Sequence, residues 1–200
     1  CFIVIFINKG LKEYDGDLAI GAYGIVNRTG MLFVMIVFGV TQGMQPILGF
    51  NYGAKQWHRV KHTLKMGFVA GVLITTIGFL VAEILPHQVA SLFTADATLI
   101  DISRIGFIIS FMFFSVVGGQ IVIQNFFQSI GKPKVSIFLS LTRQLLFLIP
   151  TLLVLPSIFG LKGVWWSLAV SDMLAFIVGI ITLVVLLKRE NRHFSKINNI

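Results

Sequence analysis

Apolar residues in this chain of 200 are gathered into long blocks, and the length of those blocks constrains the fold more than any motif does. Complete blocks run over 18–48, 66–85, 105–130, 135–155 and 161–187, and a shorter apolar piece covers 1–8. A helix needs about 20 apolar residues to cross a bilayer, whereas a membrane β-strand needs only about 9–11. Lipid offers no partner to an open backbone N–H or C=O, so only helices or closed barrels can span it. These blocks suit helices and are too long for barrel strands. The expected fold class is therefore an all-α, polytopic membrane protein, a bundle of about five complete transmembrane helices plus the end of a sixth over 1–8. The helical lobe would occupy 1–187 and a polar, basic tail 188–200.

Composition agrees. The chain is 56% hydrophobic and 12% charged, where soluble domains carry roughly a quarter charged residues. Its net charge of +8 raises the question of nucleic acid, because basic patches bind phosphate backbones. The basic residues instead occupy the short connectors between apolar blocks, as topology signals do, so no nucleic-acid partner is expected. One set of connectors carries Lys55, Arg59, Lys61, Lys65, Lys132, Lys134, Lys188, Arg189, Arg192 and Lys196; the alternate set has only Lys9, Lys12, Arg104 and Lys162. Most acids (Glu13, Asp15, Asp17, Asp96, Asp101) share the poorer side. The richer side is expected to be cytoplasmic, which places the C-terminus there in a multi-pass protein of the cell membrane.

Enzyme chemistry finds no constellation. Cys1 is the only cysteine, which excludes a disulfide framework or a thiolate metal site. His58 and His62 have i, i+4 spacing, but Trp57-His58-Arg59 lacks the glutamate expected after the first ligand. No nucleophile elbow, phosphate loop or paired intramembrane carboxylates occur. Neither a metal nor another cofactor is expected. Because the chain begins at Cys1 with no methionine, we expect a longer protein of which an N-terminal part is missing here.

Charges inside the apolar blocks are informative because each costs about 2.5–3.5 kcal/mol at the bilayer centre on insertion scales. The clear cases are Arg143 and Asp172, since Arg28 and Glu83 lie nearer the span ends and can snorkel. Arg143 and Asp172 flank the same short turn near Ile158 at almost equal separation, so an antiparallel hairpin puts them at matching depth. Their opposite signs predict mutual compensation. Two readings stay open: an ion pair that only fixes packing, and an Asp172 that titrates or binds a cation inside a transport cavity.

Polar residues also recur at helical spacing. Gln120, Gln124 and Gln128 step by four along the third block, with Phe113 and Val117 continuing the stripe. Ser136, Ser140, Arg143, Gln144 and Thr151 share a face of the fourth, and Ser167, Ser171 and Asp172 mark the fifth. Asn27, Thr41 and Gln45 line up on the first, with Met31, Val34 and Phe38 between. Any one stripe reads as interhelical glue; several together predict a shared polar cavity, whose aromatics and methionines suit flat, greasy cations. The cavity candidates are Asn27, Gln45, Gln120, Gln124, Arg143, Gln144, Ser171 and Asp172. Gly118, Gly119, Gly163 and Gly179 are expected to allow close helix packing. Where the first block gives way to the basic connector, Gln42 and Pro46 are gate or hinge candidates, because Pro46 removes a donor and frees a carbonyl near Gln42.

Several of these segments carry a resemblance. Ala19-Ile20-Gly21-Ala22-Tyr23-Gly24-Ile25-Val26-Asn27-Arg28 and Gln42-Gly43-Met44-Gln45-Pro46-Ile47-Leu48-Gly49-Phe50-Asn51-Tyr52-Gly53-Ala54 resemble the second-lobe signature of the multidrug and toxic compound extrusion (MATE) family. Phe126-Phe127-Gln128-Ser129-Ile130-Gly131-Lys132-Pro133-Lys134, Arg143-Gln144 and Gly160-Leu161-Lys162-Gly163-Val164-Trp165 follow its pattern in order. The resemblance implies most of the C-terminal six-helix lobe of a two-lobe transporter, from the end of its seventh helix to its twelfth. It implies antiport of organic cations or amphiphilic drugs against Na⁺ or H⁺, with the missing N-terminal lobe and the bilayer as partners. Alternatives are a lipid-linked oligosaccharide or polysaccharide flippase of the same superfamily and a non-transporting scaffold. Some members carry cation-binding acids on the tenth helix, where this chain has Gln120, Gln124 and Asn125, so the resemblance leaves the coupling ion open.

Overall fold

The computed structural model describes residues 16–191 in full. The partial span expected over 1–8, the side chains of residues 9–15 and the tail beyond Asn191 lie outside these; Gly16 and Asp17, expected from the sequence to end a polar loop over 9–17, are helical. The elements are α1 (Phe2–Gly53), α2 (Trp57–Ile84), α3 (Pro86–Ser91), α4 (Ala97–Phe111), α5 (Phe114–Ser129), α6 (Pro133–Leu141), a π-helical turn (Thr142–Leu148), α7 (Ile149–Phe159) and α8 (Leu161–Asn198). No strand occurs among the described residues.

Four stretches are long and apolar enough to cross a membrane: Gly16–Gly53, Trp57–Ile84, Pro133–Phe159 and Leu161–Asn191. The third apolar block is not one rod. It is α4 and α5, bent by 54° at Met112-Phe113, and counted as one broken span the pair would be a fifth crossing. The helices present large apolar side chains outward, among them Leu32, Met35, Ile36, Leu73 and Ile77. A water-soluble domain rarely exposes so large an apolar patch; hydrocarbon accepts it.

The connectors follow their residues. Lys55 takes φ 59° in the short α1–α2 turn, and Gly131 takes φ 75° in the α5–α6 turn, where the missing side chain removes the strain of a left-handed backbone. Pro133 then begins α6 at a position that needs no N–H. Asp96 caps α4 by accepting from the Thr98 and Leu99 amides.

Because lipid is as apolar as leucine, burial alone does not hold such helices together, and close van der Waals packing has to. The tightest approach joins α2 to α5, where Gly71 and Gly118 face each other backbone to backbone. Thr75 beside them places its hydroxyl 2.8 Å from the Ser115 carbonyl. Gly119 makes room for the Phe68 and Phe176 rings, and Gly163 lies against the Leu155 carbonyl. Gly179 departs from the sequence expectation: a side-chain carbon there would sit 3.8 Å from Ile123, an ordinary contact that requires no glycine.

Two apolar clusters occupy the ends of the bundle. One gathers Leu48, Trp57, Val60, Phe126, Phe127 and Leu183 near the basic connectors; the other gathers Val26, Ala82, Phe107, Phe111 and Trp165 at the far end. Replacing Gly118 with Val forces a side chain into the Gly71 backbone and should cost about 1–3 kcal/mol as overpacking does. Thermal unfolding of the purified full-length protein in detergent should fall accordingly, while Gly43→Ala, whose added carbon meets nothing within 4 Å, should leave it unchanged.

Candidate functional site: a polar cavity inside the lobe

A cavity of about 480 Å³ opens between α1, α4, α5, the α6–π-turn segment and α8. That lies within the range typical of small-molecule pockets, about 300–1,000 Å³. Asn27, Gly30, Met31, Val34 and Phe38 of α1 form one wall, at the three- and four-residue steps of one helix face. The α4–α5 bend supplies Ser110, Phe111 and Phe114. Val117, Ile121, Gln124, Asn125 and Gln128 continue down α5. Ser136, Ser140, Arg143 and Gln144 close the opposite side, with Leu168 and Asp172 from α8.

The charged pair lies at this cavity. Arg143 donates from Nε to Asp172 Oδ1 at 2.6 Å, and its Nη2 reaches the same oxygen at 2.6 Å. The matching depth read from the hairpin is therefore realised as direct contact. The π-helical turn spans this point, with the Ile149 amide donating to the Gln144 carbonyl five residues back. A wider turn reduces the rotation between successive side chains, which lets neighbouring Arg143 and Gln144 both face the cavity. Pro150 follows at once and cannot donate to the helix ladder, so the irregularity sits where the sequence removes a donor.

Aromatic rings line the end formed by the bend. Phe111 and Phe114 are 4.4 Å apart between centroids, and Phe114 meets Phe33 edge-on at 6.3 Å. The wall thus combines primary amides, hydroxyls, one ion pair and ring faces. It can hold a flat amphiphile through stacking and several directional hydrogen bonds.

Of the sequence candidates, Asn27, Gln124, Arg143, Gln144 and Asp172 come together here. Gln45 does not: the α1 wall ends at Phe38, and Gln45 is exposed beyond it. Gln120 is buried, 3% exposed, and turned out of the lining with both amide atoms unpartnered. A four-residue step overshoots a 3.6-residue turn by about 40°, so a Gln120–Gln124–Gln128 stripe drifts around the helix and only its later members reach the cavity. Ser171 is buried and donates to the Leu168 carbonyl at 2.8 Å instead of facing the cavity. Gln42 and Pro46 are exposed, and Pro46 lies inside α1, which continues to Gly53. Sequence reasoning did not single out Phe111 and Phe114, because the bend that aims them has no proline or glycine to announce it. Among the described residues, no group of three His, Cys, Asp or Glu is placed to hold a metal.

Apolar helices around a polar, half-open cavity define a multi-pass α-helical membrane protein. The MatE family model matches residues 2–153, and the chain belongs to that family. It is 26% identical over 168 residues to the multidrug export protein MepA of Staphylococcus haemolyticus (strain JCSC1435), covering 84% of this chain and 36% of that protein. Among solved structures, the MATE multidrug transporter DinF-BH superimposes with a TM-score of 0.77 at 40% identity, covering 89% of this chain and 40% of that one. An outward-facing multidrug resistance MATE family transporter of the MOP superfamily superimposes with a TM-score of 0.88 at 19% identity, over 96% of this chain and 43% of that one. The chain spans less than half the length of each of these relatives.

Breaking the ion pair should be asymmetric. The Asp172 side chain is 10% exposed and that of Arg143 39%. Arg143→Met strands a shielded carboxylate, and removing one partner of a fully buried pair costs about 3–5 kcal/mol. Asp172→Asn leaves a guanidinium that water can still reach and should cost clearly less. Thermal unfolding of the two variants in detergent checks the order.

Proposed function

We propose that this chain is the C-terminal lobe of a secondary active multidrug antiporter. It would export organic cations or amphiphilic drugs in exchange for Na⁺ or H⁺, together with an N-terminal six-helix lobe of the same polypeptide. The observation that carries the reading is the cavity: Asn27, Gln124, Gln144 and the Arg143–Asp172 pair converge in a bundle otherwise built of apolar side chains. Such groups are expensive to keep in hydrocarbon and face cavities or pathways when they occur. A scaffold has no need of them. MepA and DinF-BH, named as a multidrug export protein and a multidrug transporter, support the same assignment.

In this reading Asp172 is this lobe's candidate for coupling-ion exchange. The Lys- and Arg-rich connectors face the cytoplasm of the cell membrane, and the C-terminus lies there with them. Gln42 and Pro46 act as a hinge at the cytoplasmic end of α1.

Uptake of a fluorescent lipophilic cation into everted vesicles containing the full-length protein, which corresponds to export from the cytoplasmic side, tests the assignment. Transport should persist without ATP while a Na⁺ or H⁺ gradient is maintained and collapse when ionophores dissipate both gradients. Uptake driven by ATP with no gradient would overturn the reading. Pro46→Ala should slow the turnover of that uptake with little change in thermal stability; a normal rate would leave Pro46 as a marker of the span end only.

A further inference from the structure

The two partners of the ion pair are presented unequally. Asp172 is screened behind its partner, with a side chain 10% exposed, whereas the Arg143 side chain is 39% exposed at the cavity wall. Both contacts to the carboxylate, from Nε and from Nη2, fall on the single oxygen Oδ1. A guanidinium carries five N–H donors. Two are used on Asp172, and among the described residues no other hydrogen-bond partner of Arg143 is found. Three donors on a cationic group therefore remain at a cavity whose lining carries no charge besides this pair; Tyr23, the other ionisable lining residue, is a phenol within electrostatic reach of Arg143. Cationic organic substrates would meet here a guanidinium, with its balancing carboxylate behind it.

Neighbouring groups strengthen the same preference. The Gln144 side chain stands beside Arg143 in the wide π turn, and Gln124 faces the space from α5. Each carries an NH₂ with two donors, and neither is engaged in a hydrogen bond among the described residues. A carboxylate, sulfonate or phosphate oxygen is the complement of such a set, because charge-assisted bonds to a planar guanidinium are the strongest the wall can make. The Phe111, Phe114 and Phe38 rings of the same lining offer apolar contact to the remainder of such a ligand.

We propose that this lobe's half of the cavity is a site for the anionic end of an amphiphile, with Arg143 as the specificity-determining residue. Among the organic cations and amphiphiles of the antiporter reading, zwitterions with a cationic body and an acidic end would then be preferred, and a simple lipophilic cation would be held by the ring faces alone. Asp172 keeps Arg143 oriented and limits its pull, so that a bound anion can leave again. The inference rests on the antiporter reading and names the substrate class of its cavity.

A matched pair of probes separates the two: a rhodamine with a free carboxylate and the methyl ester of the same dye, which is a plain cation. Binding of each to the purified full-length protein is measured by fluorescence polarisation, and gradient-dependent uptake of each into everted vesicles. Asp172→Asn retains the guanidinium unneutralised and should bind the carboxylate dye at least as tightly as the unaltered protein. The double variant Arg143→Gln/Asp172→Asn leaves no stranded charge, so its folding is protected; it should lose about tenfold or more in affinity for that dye and keep its affinity for the ester. Equal binding of the carboxylate dye by the two variants overturns the inference. So does tighter binding of the ester than of the carboxylate dye by the unaltered protein. If the ester is exported normally in that case, the antiporter reading stands and only the substrate class falls. If neither dye binds or moves, both fall together.

Discussion

Backbone contact between α2 and α5 at Gly71 and Gly118 sets the geometry on which the rest of this lobe depends. In water, burying apolar faces would press helices together with little regard for shape. In hydrocarbon that force is absent, so helices meet where their surfaces allow many close contacts. With α2 seated against one side of α5, the opposite faces of α5 turn toward α8 and toward the cavity. Gly119 admits Phe68 and Phe176 on the packed side, while Gln124, Asn125 and Gln128 are left to the open side. The polar wall is thus a consequence of which face of α5 the glycines commit to packing.

The membrane fold itself was legible because block length and backbone satisfaction leave few options. The pairing of Arg143 with Asp172 was legible too, since a hairpin of regular rise turns sequence separation into depth. What could not be read has local physical reasons. The α4–α5 bend falls at Met112-Phe113, with no glycine or proline to signal it. The π turn likewise has no signature of its own beyond Pro150 just downstream. Gln120 and Gln45 shared sequence stripes with cavity residues, yet stripes read at integer spacing blur a helix of non-integer period. Ser171 is adjacent in sequence to Asp172, and that single step of about 100° is enough to carry it out of the cavity and onto its own helix's carbonyl.

The chemistry of the wall is made of weak, replaceable contacts around one strong one. Amides and hydroxyls accept many partners in many poses, and ring faces tolerate many shapes. The single ion pair is the only element whose loss leaves something uncompensated. Adaptable contacts and one fixed ion pair thus coexist in one small space, the first from α1 and α5 and the second from the α6–α8 hairpin.

The basic end of the bundle has a further mechanical meaning. Glu190 of α8 accepts Lys132 Nζ at 2.5 Å and Tyr52 Oη at 3.2 Å, while Trp57 donates its indole N–H to Asn191. These bonds tie the α1–α2 turn, the α5–α6 turn and the end of α8 into one cross-linked plate. The 54° bend lies about midway along the α4–α5 pair, where Phe111 and Phe114 are packed in an apolar cluster. At the basic rim, by contrast, connectors far apart in sequence are held to one another by side chains.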